Sequence, residues 1–110
     1  LGRGQVHHWQ GMIRIRISDE ALQDLNEGFL FYEAQGIGLG DYFATCLRAD
    51  IEGLRITAGV HRLIYRDYHR LLSRVFPYGV FYTHQDDEVV VWAVIDLRRD
   101  PTWIRDRLNR

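Results

Sequence analysis

Lysine is missing from this 110-residue chain: all fourteen basic residues are arginine. G+C-rich codon usage produces such a bias. A guanidinium fork also fits phosphate and carboxylate better than an ammonium point charge does, and the two explanations are compatible. The single cysteine, Cys46, excludes an intramolecular disulfide and fits a reducing cytoplasm. No apolar run approaches the roughly 20 residues that cross a bilayer, and the first residues show no basic-then-apolar signal pattern. A cytoplasmic protein without membrane association is expected. The single methionine, Met12, follows the aperiodic stretch "LGRGQVHHWQG". Residues 1–11 therefore read as a tag-like or flexible leader, His7-His8 as a surface feature rather than a metal site, and residues 12–110 as one domain.

Net charge is scarce too, at −1, which argues against a general nucleic-acid binder. Its distribution is uneven. Residues 1–54 hold four arginines against eight acids, a balance of −4; residues 55–110 hold ten against seven, a balance of +3. The basic second half points to an anionic partner.

What is present is strong periodicity. "MIRIRIS" (12–18) alternates isoleucine with arginine, as a half-buried strand does. Ser18 and Asp19 offer an N-cap, and Leu22, Leu25, Phe29 and Tyr32 follow at helical spacing up to about Gly36. "GIGLG" (36–40) follows a helix rather than a strand, so it reads as a C-cap and tight turn instead of a phosphate cradle. Asp41 is the expected cap of a second helix striped by Phe43, Leu47, Ile51 and Leu54, with Cys46 a buried inert thiol on its flank. Strands follow at 69–76, 78–84 (Tyr78, Val80 and Tyr82 on one face) and 88–97. The nearly continuous apolar run of the last implies burial on both faces. Asp100-Pro101 then starts a short helix in which Trp103, Ile104 and Leu108 share a face. The expected fold is α+β, in the order β-α-α-β-β-β-α: a small, mainly antiparallel sheet covered by a helical hairpin.

The block 68–108, "YHRLLSRVFPYGVFYTHQDDEVVVWAVIDLRRDPTWIRDRL", resembles the C-terminal half of RelE/ParE-superfamily toxins. It has an Arg-bearing strand into Phe76-Pro77-Tyr78, then Tyr82 and an acidic turn, an apolar strand, Arg98-Arg99-Asp100-Pro101 and an aromatic in the last helix. "FYEAQGIGLGDYFATCLRADIEGL" (31–54) is similar to that family's helical hairpin. The resemblance implies a toxin of a bacterial type II toxin–antitoxin pair, of the plasmid-stabilisation kind, neutralised by a cognate antitoxin. RelE-like branches cut mRNA on the ribosome, whereas ParE-like branches poison DNA gyrase.

Metal-independent RNA cleavage needs a base, an acid and cations around the phosphorane. Arg70, Arg74, Arg98 and Arg99 supply cations near one end of the sheet. Acid and base are harder to find. Nuclease branches carry His or Tyr at the end of the last strand or just beyond, where this chain has Leu97, Arg98 and Arg99. Many relatives have His where Asp96 stands. His69, Tyr82 and His84 are the remaining proton carriers, and each also reads as a surface or core residue. His61 and His69 lack metal-ligand spacing, so no metal or cofactor is expected. Asp96 reads either as a base or, preferably, as the partner of Arg70 or Arg98. Alternation puts Arg98 and Arg99 on opposite faces, which leaves one structural arginine and one, Arg99, for recognition.

The ParE-like reading follows: a toxin that binds gyrase, with the ribosome-dependent mRNA endonuclease as the alternative. Arg70, Arg74, Arg99 and Trp103 are the expected partner-binding residues. Arg70, Tyr82, His69, Arg98 and Arg99 are the catalytic candidates should the chain be a nuclease. A short acidic antitoxin is expected to lay a helix or strand over the chain.

Overall fold

A computed structural model describes residues 13–110. The leader reading, His7-His8 and the Met12 start lie outside the described residues. The elements run β1 (Arg14–Ile17), α1 (Asp19–Glu33), α2 (Leu39–Glu52), α3 (Leu54–Thr57), β2 (Leu63–Tyr65), β3 (Tyr68–Leu72), β4 (Tyr78–Gln85), β5 (Glu88–Asp96) and α4 (Pro101–Leu108). The sheet order is β1-β5-β4-β3-β2; β1 lies parallel to β5 and the other neighbours pair antiparallel. The expected α+β order is therefore present, with two additions: the single turn α3 and the edge strand β2. The β2–β3 hairpin escapes sequence reading because its turn is Arg66-Asp67, with no glycine. Arg66 itself adopts φ 54°, a conformation in which Gly, Asn or Asp is usual.

Two boundaries differ from expectation. The strand expected at 69–76 stops at Leu72, where Ser73 turns the chain: its Oγ accepts the Val75 and Phe76 N–H groups at 3.4 and 3.3 Å. Phe76 is then free to pack edge-on against Phe43, 5.1 Å between centroids. The second helix is capped differently as well. Gly38, at φ 90°, is its N-cap, and Asp41 lies inside the first turn. The free N–H groups are taken by a carboxylate from the preceding helix: Glu33 accepts from Gly38 at 3.1 Å and from Gly40 at 2.9 Å. An acid at a helix N-terminus satisfies both the orphan donors and the helix dipole, whichever element supplies it.

The helical hairpin covers one face of the sheet. Ala21, Phe43, Leu47, Ile51 and Leu54 pack on Tyr78, Val80, Tyr82, Val89, Val91 and Val94. On the other face α4 presses Leu108 and Ile104 onto Phe81, Ala93 and Ile95. The continuous apolar run of β5 thus reflects burial from both sides.

One irregularity sets the face of everything after it. Phe81 pairs with Ala93 but Tyr82 pairs with Val91, so Trp92 is an extra residue, a β-bulge. Simple alternation puts Asp96, Val94 and Trp92 on one face. The bulge separates them: Val94 joins the hairpin core, while Trp92 is half-exposed and gives its indole N–H to Thr83 at 2.9 Å. Among the described residues, no helix is long and apolar enough to cross a membrane.

Candidate functional site: an arginine-lined cavity beside the last helix

The end of β5 sorts the two arginines apart. Arg98 forks onto Asp96, with Nε–Oδ1 at 2.9 Å and Nη2–Oδ2 at 2.7 Å, and its main-chain N–H also reaches Oδ1 at 2.9 Å. A bidentate pair of this kind fixes both groups. The hydrogen bond from Arg98 holds the Asp96 carboxyl below the usual carboxylate range, against the opposing effect of burial. Of the two partners considered for Asp96, Arg98 is the one found. Tyr78, cross-strand from Asp96, has its phenol pushed up to about 12, first by burial and then by that carboxylate.

Arg99 makes no ion pair among the described residues. Its guanidinium lies 4.0 Å from the centroid of Trp103, a cation–π stack that holds the charge without neutralising it. The intervening residues force this placement. Asp100 caps α4 by accepting the Thr102 N–H at 2.7 Å, and Pro101 begins the helix, so Arg99 and Trp103 sit either side of a rigid corner. The face expected to be shared by Trp103, Ile104 and Leu108 would pack α4 on the sheet. Ile104 and Leu108 do that, and Trp103 stays 38% exposed.

Arg99 meets two more cations. Arg70 on β3 pairs with Phe81 and so shares the α4 face. Arg105 projects from α4. With Arg99 they line a cavity of about 320 Å³ floored by Phe81, Leu97 and Ile104, and no carboxylate lines it. Arg105 was missed in the sequence, although helical spacing from Pro101 and Leu108 could have found it. Arg74 is not part of this cluster. It lies in the β3–β4 loop on the hairpin side, 84% exposed, 3.5 Å from Asp50.

The proton carriers sit elsewhere. Tyr82 is fully buried on the hairpin face, its ring stacked on His69 with centroids 5.1 Å apart. The Tyr82 hydroxyl lies 2.7 Å from His61 Nδ1, and the Gly59 N–H donates to it at 3.4 Å. His69 Nδ1 donates to the His61 carbonyl at 2.7 Å. His84 turns to the Asp86 carbonyl at 3.0 Å, at the far end of the β4–β5 hairpin. Phenol and imidazoles are thus on the opposite face from Arg70, Arg99 and Arg105. Tyr65 is the proton-bearing side chain that flanks the cavity, and its hydroxyl is donated to Asn109 Oδ1 at 2.8 Å. Among the described residues no cluster of His, Cys, Asp or Glu is placed to hold a metal.

The His61 ring gives the fold a pH dependence. Burial, and secondarily His69, lowers the His61 pKa, so the folded state favours the neutral ring. The contribution is complete above the unfolded value of about 6.5. It is lost as pH falls through the depressed folded value, because the unfolded chain takes up the proton first. Melting temperature should therefore fall below about pH 6.5, and His61→Gln should flatten that part of the profile. An unchanged slope in the variant would assign the dependence to another group.

A second cavity, also about 320 Å³, opens on the other side of Arg99, between α1 and α4. Its wall holds a pair that sequence reading did not find. Arg107 forks onto Asp24 at 2.8 and 2.6 Å, and the other contact of Asp24 Oδ2 is the Val94 N–H at 2.9 Å. The partners are 83 positions apart in the chain, beyond any local signal.

The comparisons with known proteins agree with this architecture. The family described as the ParE toxin of the type II toxin–antitoxin system parDE matches residues 15–101. No curated protein matches the sequence. Among solved structures, a chain of the "Chromosomal ParDE TA system from P. aeruginosa" superposes with a TM-score of 0.68, covering 76% of this chain and 95% of that one at 13% identity. At that identity the likeness is one of fold.

Proposed function

Because this chain belongs to the family of ParE toxins of type II toxin–antitoxin systems, we propose that it arrests growth by binding DNA gyrase and is neutralised in the cytoplasm by a cognate antitoxin. The observation that carries the reading is the cavity of Arg70, Arg99 and Arg105, three cations with no carboxylate on its wall. Such a site holds an anionic group of a partner by charge, in a partly desolvated setting where the interaction is strong. His69 and Tyr82, the proton carriers among the catalytic candidates, face the opposite layer, which favours binding over RNA cleavage.

The purified chain should inhibit gyrase supercoiling or trap gyrase–DNA cleavage complexes. The double variant Arg70→Ala/Arg99→Ala should need at least about tenfold more protein for the same effect, as loss of interfacial charges at a binding centre implies. Its circular dichroism should be unchanged, since neither arginine forms an ion pair among the described residues. Mapping mRNA 5′ ends after induction should reveal no new cuts in coding regions. No effect on gyrase in either assay would sink the gyrase reading, and new coding-region cuts would replace it with the endonuclease.

A further inference from the structure

The bulge at Trp92 leaves part of β5 with nothing beside it. Upstream, β1 bonds to residues 87, 89 and 91: the Arg14 N–H reaches the Asp87 carbonyl at 2.8 Å and the Ser18 N–H the Val91 carbonyl at 2.9 Å. The extra residue then reverses the alternation. The Leu97 N–H reaches the Pro77 carbonyl at 2.9 Å, so residues 93, 95 and 97 now direct their main-chain groups to β4, and 94 and 96 direct theirs to the side that β1 has left. Asp24 takes the Val94 N–H, and the Arg99 N–H takes the Asp96 carbonyl at 3.1 Å. The Val94 carbonyl and the Asp96 N–H remain, with no partner among the described residues.

These two groups form a specific pattern. In a parallel ladder one residue of the added strand donates to the carbonyl of residue j−1 and accepts from the N–H of residue j+1. Arg16 occupies that position between Val89 and Val91 in the β1–β5 register. An antiparallel partner would instead need both groups of a single residue, and Asp24 and Arg99 have consumed one from each. The bare edge opens into the groove between α1 and α4, flanked by Phe31, which is 50% exposed, and by Trp103 beneath Arg99.

We propose that this groove is the slot for an extended antitoxin segment that adds to β5 as a parallel strand in line with β1. This rests on the toxin–antitoxin reading above. Main-chain bonds to Val94 and Asp96 supply the register. An apolar side chain fits between Phe31 and Trp103, and an acidic one meets Arg99, the cation of this groove without a carboxylate; Arg107, the other cation on its wall, is already paired with Asp24. Glu27, also on the wall, repels an acid at the α1 end and so sets the order of the two side chains.

The test is the full chain co-expressed with the antitoxin of the adjoining gene, read by amide hydrogen exchange in the free and bound states. Exchange at Asp96 should slow by at least about tenfold on binding. Arg99→Glu and Phe31→Ala should each weaken the complex by about tenfold or more. A stable complex in which Asp96 exchanges as in the free chain overturns the strand slot and leaves the toxin–antitoxin reading intact. Failure to form any complex overturns both.

Discussion

Replacing Asp24 with alanine is expected to cost the fold about 3–5 kcal/mol, the usual penalty for stripping a buried charge of its partner. Asp24 and Arg107 side chains are only 10% and 9% exposed, and the carboxylate also holds the Val94 N–H. One truncation therefore leaves a main-chain donor unpaired and Arg107 with only a looser contact to exposed Glu20, at 3.8 Å. A guanidinium keeps its proton at any ordinary pH, so Arg107 cannot escape the loss by becoming neutral. Few other contacts secure α4. Leu108 is its one buried residue, and Ile104 is half-buried. Loss of the pair should loosen α4 first, and with it the corner that positions Arg99.

Chemical denaturation would measure this, with a fall in Tm on the order of 15 °C as its thermal counterpart. Asp24→Asn keeps an acceptor for Val94 and should lose distinctly less than alanine. The pair Asp24→Leu/Arg107→Met removes both charges and keeps much of the volume, so it should be less damaging than the sum of the single changes by about 2 kcal/mol. The Val94 N–H still goes unpaired there, so a residual cost of about 1–3 kcal/mol should persist. Additive single changes would show that the two side chains are not coupled.

The sequence carried the architecture wherever the determinant was local. Alternation in residues 13–17, the helical stripes, the Asp100-Pro101 start and the apolar run of β5 all report the period or cap of a single segment. The Asp96–Arg98 pair was legible for the same reason, being two residues apart. What stayed hidden depends on contacts between segments. "VVVWAV" contains no Gly or Pro to mark a bulge, yet the register against β4 puts one at Trp92. That single insertion decides which face Trp92 takes and leaves the β5 edge bare. The Asp24–Arg107 pair and the Glu33 cap of α2 are likewise tertiary: each residue alone reads as an ordinary solvated charge on a helix.

Gly40→Ala is expected to destabilise the chain by about 1–3 kcal/mol, although alanine is the better helix former by about 1 kcal/mol. A Cβ at Gly40 would lie 2.7 Å from the Phe29 carbonyl oxygen and 2.9 Å from Glu33 Oε1. The first contact is with main chain that cannot rotate away, and the second is with the carboxylate that caps α2. The helices must part, at an overpacking cost of about 1–3 kcal/mol, and the cap weakens by about 1 kcal/mol more. Gly28→Ala should behave differently. Its Cβ would lie 2.5 Å from Phe43 Cε2 and Cζ, the tip of a fully buried ring that stacks on Tyr32 at 5.1 Å. Trimming that ring with Phe43→Leu should therefore relieve Gly28→Ala, giving a double variant more stable than the two separate losses predict. The same Phe43→Leu change should do nothing for Gly40→Ala, because its obstacle is a peptide carbonyl. Urea midpoints at constant m-value would separate the cases. Rescue of Gly40→Ala by Phe43→Leu would show that the hairpin is held apart by the Phe43 ring and not by the backbone of α1.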